Sequence, residues 1–194
     1  MPAQNRSGDE GFTVLSGADG KSQLRLRKDD SRLMALGAVD ELNAAIGMCV
    51  AEARRRKMAK ITQGLIRVQE ELFRVGAALA AIGAGASPDA LVDEAAVTRM
   101  QDEIDSIGAE VGQLEHFVLP GGCDLAARLH VARTIARRAE RGVVTVLGIS
   151  KHARRNVAAA GVVVRYMNRL SGMLFALARK ANHDAGQEER IWKP

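Results

Sequence analysis

The sequence predicts an all-α protein built as an up-and-down bundle of five helices. Hydrophobic residues make up 47% of the 194 residues but aromatic residues only 3%, so the apolar content is mainly aliphatic. This composition favours helices over a β-sandwich, which is usually richer in Tyr, Phe, Trp and Thr. Apolar residues also recur at steps of three and four through five segments, as they do along one face of a helix. The length is that of a single domain with a sizeable core.

The amino-terminal segment, residues 1–31, is polar and punctuated by glycines, which predicts loop or short extended structure. A first helix is predicted over residues 32–57, where Leu36, Val39 and Leu42 belong to one apolar face. A run of four basic residues ends this pattern, as cations should at the carboxyl end of a helix. The run is expected to be a solvated helix end and not a binding patch.

The second and third helices are separated by a break that is rich in glycine. The second helix is predicted over residues 58–82, with a bundle seam that includes Leu65 and Leu72. The break contains Pro88, and the third helix is predicted over residues 94–112.

The last two helices complete the predicted bundle. The fourth begins near Cys123 or Asp124, directly after a Pro-Gly-Gly break, and the fifth covers residues 153–181. Residues 32–185 are therefore expected to form the bundle domain. Residues 186–194 are expected to form a mobile or partner-docked tail.

The net charge of +5 and the pI of about 9.6 suit nucleic acid, an anionic membrane or a phosphorylated small molecule. The scarcity of aromatic residues argues against binding of single-stranded nucleic acid, which needs stacking platforms. Cys49 and Cys123 are isolated, so neither a disulfide framework nor a zinc knuckle is expected, and a reducing compartment fits. We find no secretory signal and no apolar run of membrane-spanning length in the sequence. The expectation is a cytoplasmic protein without nucleic-acid or membrane partners.

A basic stripe lies on the fourth predicted helix, in the segment FVLPGGCDLAARLHVARTIARRAER. Arg133, Arg137 and Arg141 follow one another at steps of four and share a face, with Glu140 beside them and Arg138 turned aside. Guanidinium groups suit phosphate oxygens, and buried arginines need carboxylates or a polyanion. Spacing alone leaves two interpretations open: arginines that are solvated or ion-paired, and a phosphate site.

The glycine-rich stretch RSGDEGFT, residues 6–13, is a second candidate site. Backbone amides in such loops bind anions, and Asp9 is a candidate magnesium ligand. The stretch is not a Walker loop, because Gly-Lys-Ser/Thr is missing, and it is not a GxGxxG motif after a strand. Taken alone, it also fits an ordinary flexible leader.

Several polar residues interrupt apolar helical stretches. Asp40, beside Val39, is expected to be partly buried and to need a basic partner, whereas Glu41 is expected to face water. Asn168 fits either a satisfied core amide or a ligand contact, and His130 fits either a general base or a hydrogen-bonded structural histidine. No histidine has the Glu three residues before it that a di-iron bundle requires, and HExxH, GxSxG and EF-hand motifs are absent.

Five segments together resemble the PduO-type ATP:cob(I)alamin (corrinoid) adenosyltransferases. They are SGDEGFT, KDDSRLMALGAVDELNAAIG, FVLPGG, LHVARTIARRAER and YMNRLSGMLFALAR, in this order over nearly the whole chain. The resemblance implies a five-helix up-and-down bundle that assembles as a trimer with active sites between subunits. It also implies the reaction, in which Co(I) of a reduced corrinoid attacks the 5′ carbon of ATP and inorganic triphosphate is released.

The resemblance implies roles for individual residues. Asp40 and Arg133 match a carboxylate–arginine pair that links subunits near the corrin, and Phe117 matches the aromatic residue that helps to displace the lower axial ligand. Mg²⁺ is the implied cofactor, and a reductase and a cobalamin-dependent acceptor enzyme are implied partners. The ATP site implied by the motifs comprises Arg6, Gly8, Asp9, Gly11, Thr13, Lys28, Arg32, Arg137, Glu140, Arg141 and Asn168.

Two departures from the family pattern bear on activity. Glu10 stands where the family usually has a basic residue, which places negative charge near the phosphates. Gly172 stands where the motif commonly has Asp. These departures leave open a second hypothesis, a non-catalytic corrinoid carrier or sensor of the same fold. The excess of positive charge leaves a third, a basic helical nucleic-acid binder.

Overall fold

Five long helices make up most of the protein, which confirms the predicted bundle. The computed structural model describes residues 8–16, 23–83, 92–114, 116–149 and 157–193. The helices are α1 (Ser31–Arg55), α2 (Ala59–Gly83), α3 (Glu94–Val111), α4 (Asp124–Ile149) and α5 (Val157–Asp184). The bounds are close to those predicted, except that α5 continues for three residues beyond its expected end at 181.

Two short strands precede the helices. β1 (Phe12–Ser16) and β2 (Gln23–Arg27) pair antiparallel, with Phe12 opposite Arg27. Leu15 and Leu26 are buried, and β1 contacts α2. The extended structure expected within residues 1–31 is therefore a hairpin that is packed on the bundle.

Helix α4 occupies the middle of the bundle. It packs against α1 on one side and α5 on the other, while α2 packs on α1 and α3 packs on α5. The fully buried residues Leu42, Leu129 and Leu170 come from the three central helices. Helices α1 and α4 approach closely at Gly142, where a Cβ atom would lie 3.2 Å from the Cα atom of Ala35. The long apolar faces read from the sequence are thus the core.

The carboxyl end of α1 differs from the expected solvated basic run. Arg55 donates to both carboxylate oxygens of Glu52, at 2.8 and 2.7 Å, and Arg56 donates to one of them at 2.7 Å. The hydrogen bonds from Arg55 and then Arg56 lower the pKa of Glu52 to about 2. Two of the four cations are therefore engaged by a carboxylate one turn earlier.

By length and composition, α1 is apolar enough to cross a membrane, contrary to the expectation that the chain contains no such run. It is the one such helix among the described ranges, and 44% of its most apolar window is buried inside the bundle. A core helix meets the same criterion, and Leu42, Ile46 and Cys49 of α1 are fully buried. The apolarity of α1 is therefore weak support for a membrane span.

The end of the chain lies on the α3–α4 connection. Val118 and Ile191 form an antiparallel bridge, flanked by hydrogen bonds from Leu119 N to Arg190 O and from Trp192 N to Phe117 O, both 2.8 Å. This arrangement differs from the mobile or partner-docked tail expected for residues 186–194, because the described part of the tail docks on its own chain.

Candidate active site

The arginines of α4 fall into the two groups that the sequence predicts. Arg138 is turned aside and forms an ion pair with Glu41 of α1. Glu41, which was expected to face water, is half-exposed and is also paired with this arginine. Arg137 is exposed, and its guanidinium has no hydrogen-bond or ion-pair partner among the described residues. Arg141 is also exposed and donates from Nη1 to the Arg137 carbonyl at 3.1 Å. Two cations of the stripe thus have no carboxylate partner in the described part of the chain.

Glu140 and Asn168 join α4 to α5 beside the stripe. Asn168 Nδ2 donates to Oε1 of Glu140 at 3.1 Å, and Asn168 Oδ1 accepts from Nη1 of Arg169 at 3.1 Å. Asn168 is exposed, so it is not the core amide that was one of the two sequence interpretations. The fold brings two predicted nucleotide-site residues into direct contact.

Arg133 lies deeper than the other stripe arginines. Its Nε atom is buried without a hydrogen-bond partner among the described residues, and its guanidinium carbon lies 5.9 Å from the centre of the Phe175 ring. Burial and then the nearby charge of Arg137 lower the pKa of Arg133. The guanidinium therefore lies at the edge of the core without an ion-pair partner in the described ranges.

His130 lies one turn before Arg133 and is only 2% exposed. Neither ring nitrogen has a hydrogen-bond partner among the described residues, so the hydrogen-bonded structural histidine is not what the structure shows. The imidazole lies 6.0 Å from the ring of Phe175. Burial and then the charge of Arg133 lower its pKa, opposed by the carboxylate of Glu189. Both effects disfavour the protonated imidazole.

The loop before β1 is closed by backbone hydrogen bonds and a lysine. Gly11 N donates to the Gly8 carbonyl at 3.3 Å, and Lys28 N donates to the Gly11 carbonyl at 2.8 Å. Gly11 has a φ of +78°, which favours glycine. A Cβ atom on Gly8 would lie 3.3 Å from Nζ of Lys28, so the lack of a side chain lets this ammonium approach the loop. Asp9 is exposed.

The negative charge of Glu10 has a counter-charge within the hairpin. Nη2 of Arg25 on β2 lies 3.3 Å from Oε2 of Glu10, and the Arg25 guanidinium lies 4.5 Å from the centre of the Phe12 ring. Arg25 is a residue that the motif comparison missed. The alternating pattern QLRLR was the available signal, because it places Arg25 and Arg27 on the face opposite Leu26.

Three other predicted residues have different surroundings. Arg32 donates from Nε and Nη2 to the two carboxylate oxygens of Asp30, at 2.8 and 2.7 Å, and Asp30 also caps α1. Thr13 is half-buried in β1. Arg6 lies outside the described residues. The Arg32 guanidinium is therefore paired with Asp30 at the start of α1, four residues after Lys28.

Asp40 is exposed, which contradicts the expectation of partial burial beside a basic partner. No hydrogen bond or ion pair joins it to another described residue, Arg133 included. It lines an apolar groove of about 490 Å³ between α1 and α2, together with Phe73, which is 73% exposed. The carboxylate thus sits at an open surface.

Phe117 stands on the α3–α4 connection and is 78% exposed. The far end of this connection is fixed by Asn182 of α5, which accepts from Cys123 N at 2.9 Å and donates to the Gly121 carbonyl at 3.2 Å. Gly122, with a φ of +102°, lies so close to Asn182 that a Cβ atom would overlap the amide. Phe117 therefore projects from a held loop, with its ring in solvent.

The described part of the chain contains one cluster of possible metal ligands, Glu110, His183 and Asp184. Lys180 lies between its carboxylates, 2.7 Å from Glu110 and 2.5 Å from Asp184. Because the lysine already pairs with both carboxylates, the cluster is a salt-bridge network on the surface.

Comparisons with known proteins fit this geometry. A family model described as cobalamin adenosyltransferase matches residues 3–181. The chain is 37% identical over 187 residues to the corrinoid adenosyltransferase of Bacillus subtilis, covering 96% of this chain and 89% of that protein.

The chain belongs to the cobalamin adenosyltransferase family.

Other family members extend the comparison. The chain is 35% identical to the corrinoid adenosyltransferase PduO of Citrobacter freundii, over all of this chain but only 53% of that longer protein. A solved variant of the PduO-type ATP:corrinoid adenosyltransferase from Lactobacillus reuteri, complexed with cobalamin and ATP, superposes with a TM-score of 0.84. It is 31% identical, and the match covers 98% of each chain. The family fold therefore extends to the hairpin and the tail.

Proposed function

We propose that this protein transfers the 5′-deoxyadenosyl group of ATP to the Co(I) centre of cobalamin or a related corrinoid, releasing triphosphate. The observation that carries the proposal is that Arg137 and Arg141, beside the Glu140–Asn168 contact, have no carboxylate partner among the residues that the structure describes. The family and the solved relative complexed with cobalamin and ATP support it.

The arginines suit the leaving group of this reaction. The electron pair of Co(I) forms the cobalt–carbon bond to C5′, and the C5′–oxygen bond breaks with its electrons going to triphosphate. No proton transfer is needed, so the protein contributes orientation and stabilisation of negative charge. The guanidiniums of Arg137 and Arg141 present planar donors to phosphate oxygens, and Lys28 supplies an ammonium beside the Gly8–Gly11 loop.

The two halves of the nucleotide site meet between subunits in this proposal. Among the described residues, no hydrogen bond or ion pair joins the Gly8–Gly11 loop to the α4 arginines. Asp40 and Arg133 are likewise an unpaired carboxylate and an unpaired, partly buried cation on different surfaces of one chain. A homotrimer in which Asp40 of one subunit pairs with Arg133 of the next supplies both missing contacts, and the apolar groove beside Asp40 supplies a surface for assembly.

Phe117 is the proposed corrinoid contact. The Phe117 ring, 78% exposed on a held loop, offers apolar surface that suits an apolar face of the corrin. There it excludes the lower axial ligand, which makes Co(II) easier to reduce to Co(I). The electron comes from an external reductase, and the product passes to a cobalamin-dependent enzyme in the cytoplasm.

Magnesium fits the loop chemically. Mg²⁺ bound to phosphates usually keeps several waters and takes only one or two protein carboxylates. Asp9 offers an exposed carboxylate without an ion-pair partner among the described residues, whereas Glu10 is engaged by Arg25. Asp9 would therefore hold the ion, which would supply charge neutralisation of the triphosphate.

The test is transfer by the purified protein. ATP, magnesium and chemically reduced cobalamin are mixed with it in the dark, and the expected result is a light-sensitive adenosylated product with one triphosphate released per product. Omission of ATP is the control. Tight corrinoid binding without ATP binding or product would contradict the proposal and favour a carrier. Salt-sensitive binding to DNA without ATP competition would favour a nucleic-acid binder.

A further inference from the structure

The tail and the Phe117 segment form one small structural unit, although they are distant in sequence. The Val118–Ile191 bridge and its two flanking backbone hydrogen bonds, each 2.8 Å, join them. Ile191 and Trp192 are 46% and 50% exposed, so little apolar surface is buried by this pairing. An isolated two-stranded pairing of this size is marginal in water. Another contact must hold the tail in place.

Arg179 of α5 supplies that contact. Its Nε atom donates to both carboxylate oxygens of Glu189 in the tail, at 3.3 and 3.1 Å. The side chains of Arg179 and Glu189 are only 11% and 21% exposed. An ion pair shielded to this degree is weakened less by salt than one on the surface.

The same guanidinium also holds the start of the α3–α4 connection. Nη1 of Arg179 donates to the Gly112 carbonyl at 3.0 Å, and Nη2 lies 3.4 Å from the Val111 carbonyl. Asn182, one turn later on α5, fixes the far end of the connection at Gly121 and Cys123. Between these anchors, the Phe117 backbone is held by the tail.

We propose that Arg179, acting through Glu189, is a positioning residue for Phe117. It clamps the tail against the α3–α4 connection and so fixes the loop from which the Phe117 ring projects. This inference rests on the proposed role of Phe117 in the adenosyltransferase reaction. Arg179 touches neither ATP nor the corrinoid in this scheme, and its effect on transfer passes through the position of one aromatic ring.

Two variants distinguish the effect of the hydrogen-bonded clamp from the effect of charge alone. Arg179→Lys keeps the positive charge but loses the planar fork that reaches Glu189 and the Gly112 carbonyl together. Glu189→Gln keeps the shape of the side chain but removes its charge. Because Glu189 lies outside the helices, this substitution should leave the helices intact. Arg190→Gln is the matched control, because the exposed Arg190 side chain has no partner among the described residues. Helical circular dichroism and thermal midpoints check that each variant is folded.

The first readout does not depend on activity. Trp192 is the single tryptophan of the chain, so its fluorescence reports on the tail alone. We expect acrylamide quenching of Trp192 to rise in Arg179→Lys and Glu189→Gln and to stay at the wild-type level in Arg190→Gln. Unchanged quenching in both clamp variants would overturn the clamp itself, even if the proposed transfer reaction is confirmed.

The second readout separates positioning from general destabilisation. We expect kcat with cobalamin to fall by about 10- to 100-fold in the folded clamp variants, because a misplacement of about 1 Å can cost about 100-fold. The KM for ATP should stay unchanged, and the absorption signature of Co(II) lacking its lower ligand should weaken in parallel with kcat. A released tail with normal kcat and normal spectrum would overturn the positioning role. A wild-type protein without transfer activity would instead sink the proposed function, and with it this role.

Discussion

Arg25 of β2 and Glu10 of the amino-terminal loop form an ion pair, with Nη2 and Oε2 3.3 Å apart. Both side chains are largely exposed, so the pair itself is worth at most about 1 kcal/mol. Its consequence is electrostatic, because it cancels the negative charge that Glu10 brings to a proposed phosphate site. The departure at Glu10 therefore gives less support to a non-catalytic carrier than the sequence suggested.

Removing Arg25 should expose this charge. In Arg25→Gln, Glu10 is left unpaired near the triphosphate, and we expect the KM for ATP to rise by up to about fivefold, which corresponds to about 1 kcal/mol, the most that an exposed charge pair usually contributes. The double variant Arg25→Gln/Glu10→Gln should recover most of the loss. Initial rates over a range of ATP concentrations measure both, and equal losses in the single and double variants would contradict this account.

Arg137→Ala should remove a contact to the triphosphate. We expect kcat/KM to fall by about 100-fold, as when one donor to developing charge is lost. The helical spectrum should barely change, because the side chain is exposed. Arg138→Ala is the matched control, since it removes an equal charge one residue away that is engaged by Glu41. Equal losses in the two variants would point to net charge and not to the stripe.

Phe117→Ala should leave ATP binding intact and impair the formation of Co(I). The ring is exposed, so its removal costs little folding stability, while the apolar cover of the lower corrin face is lost. Nucleotide titration and the spectrum of bound Co(II) cobalamin are the measurements. Normal reduction and transfer in this variant would remove Phe117 from the mechanism.

Asp40 and Arg133 should be coupled across subunits. Asp40→Arg and Arg133→Asp each place like charges together, and we expect each to weaken the oligomer and the transfer reaction. The exchange of both residues should restore part of each property, because the pair is re-formed with reversed charges. Analytical ultracentrifugation and initial rates test this. A wild-type monomer at all concentrations would refute the arrangement.

Asp30→Ala should destabilise α1 in a pH-dependent way. Asp30 accepts hydrogen bonds from the Arg32 side chain and the Arg32 backbone, and the side-chain bond is the main cause that lowers its pKa from 3.8 to about 2. A depressed carboxyl pKa gives stability that is full above the unfolded value and lost as the pH falls from about 4 to 2. We expect a loss of about 1 kcal/mol at neutral pH, the usual value of an N-cap.

The pH series needs its own control. Asp102→Ala removes an exposed aspartate of α3 that makes no hydrogen bond or ion pair with another described residue, so it should change the thermal midpoint little at any pH. The difference between Asp30→Ala and the wild type should shrink as the pH approaches 2. A constant difference across this range would show that the pKa of Asp30 is not what links the cap to stability.

The amino-acid sequence was sufficient to predict the helices and the main basic features. Apolar residues at steps of three and four predicted five helices, because this spacing places them on one face of each helix. Leu42, Leu129 and Leu170 lie on three of these faces and are fully buried. The step of four likewise separated Arg138 from Arg137 and Arg141, since residues four apart lie on the same face of any α-helix. Motif order was sufficient to indicate the family.

Which of these side chains have partners depends on the packing of the elements and could not be predicted from the sequence. Asp40, expected beside a cation, is exposed, while Glu10 is paired with Arg25 and Glu189 of the tail is paired with Arg179. The two pairings join residues of different elements, 15 and 10 positions apart, and local periodicity carries no information on where two elements meet. The packing of whole elements determines which carboxylate lies beside which cation, and so which cations form ion pairs.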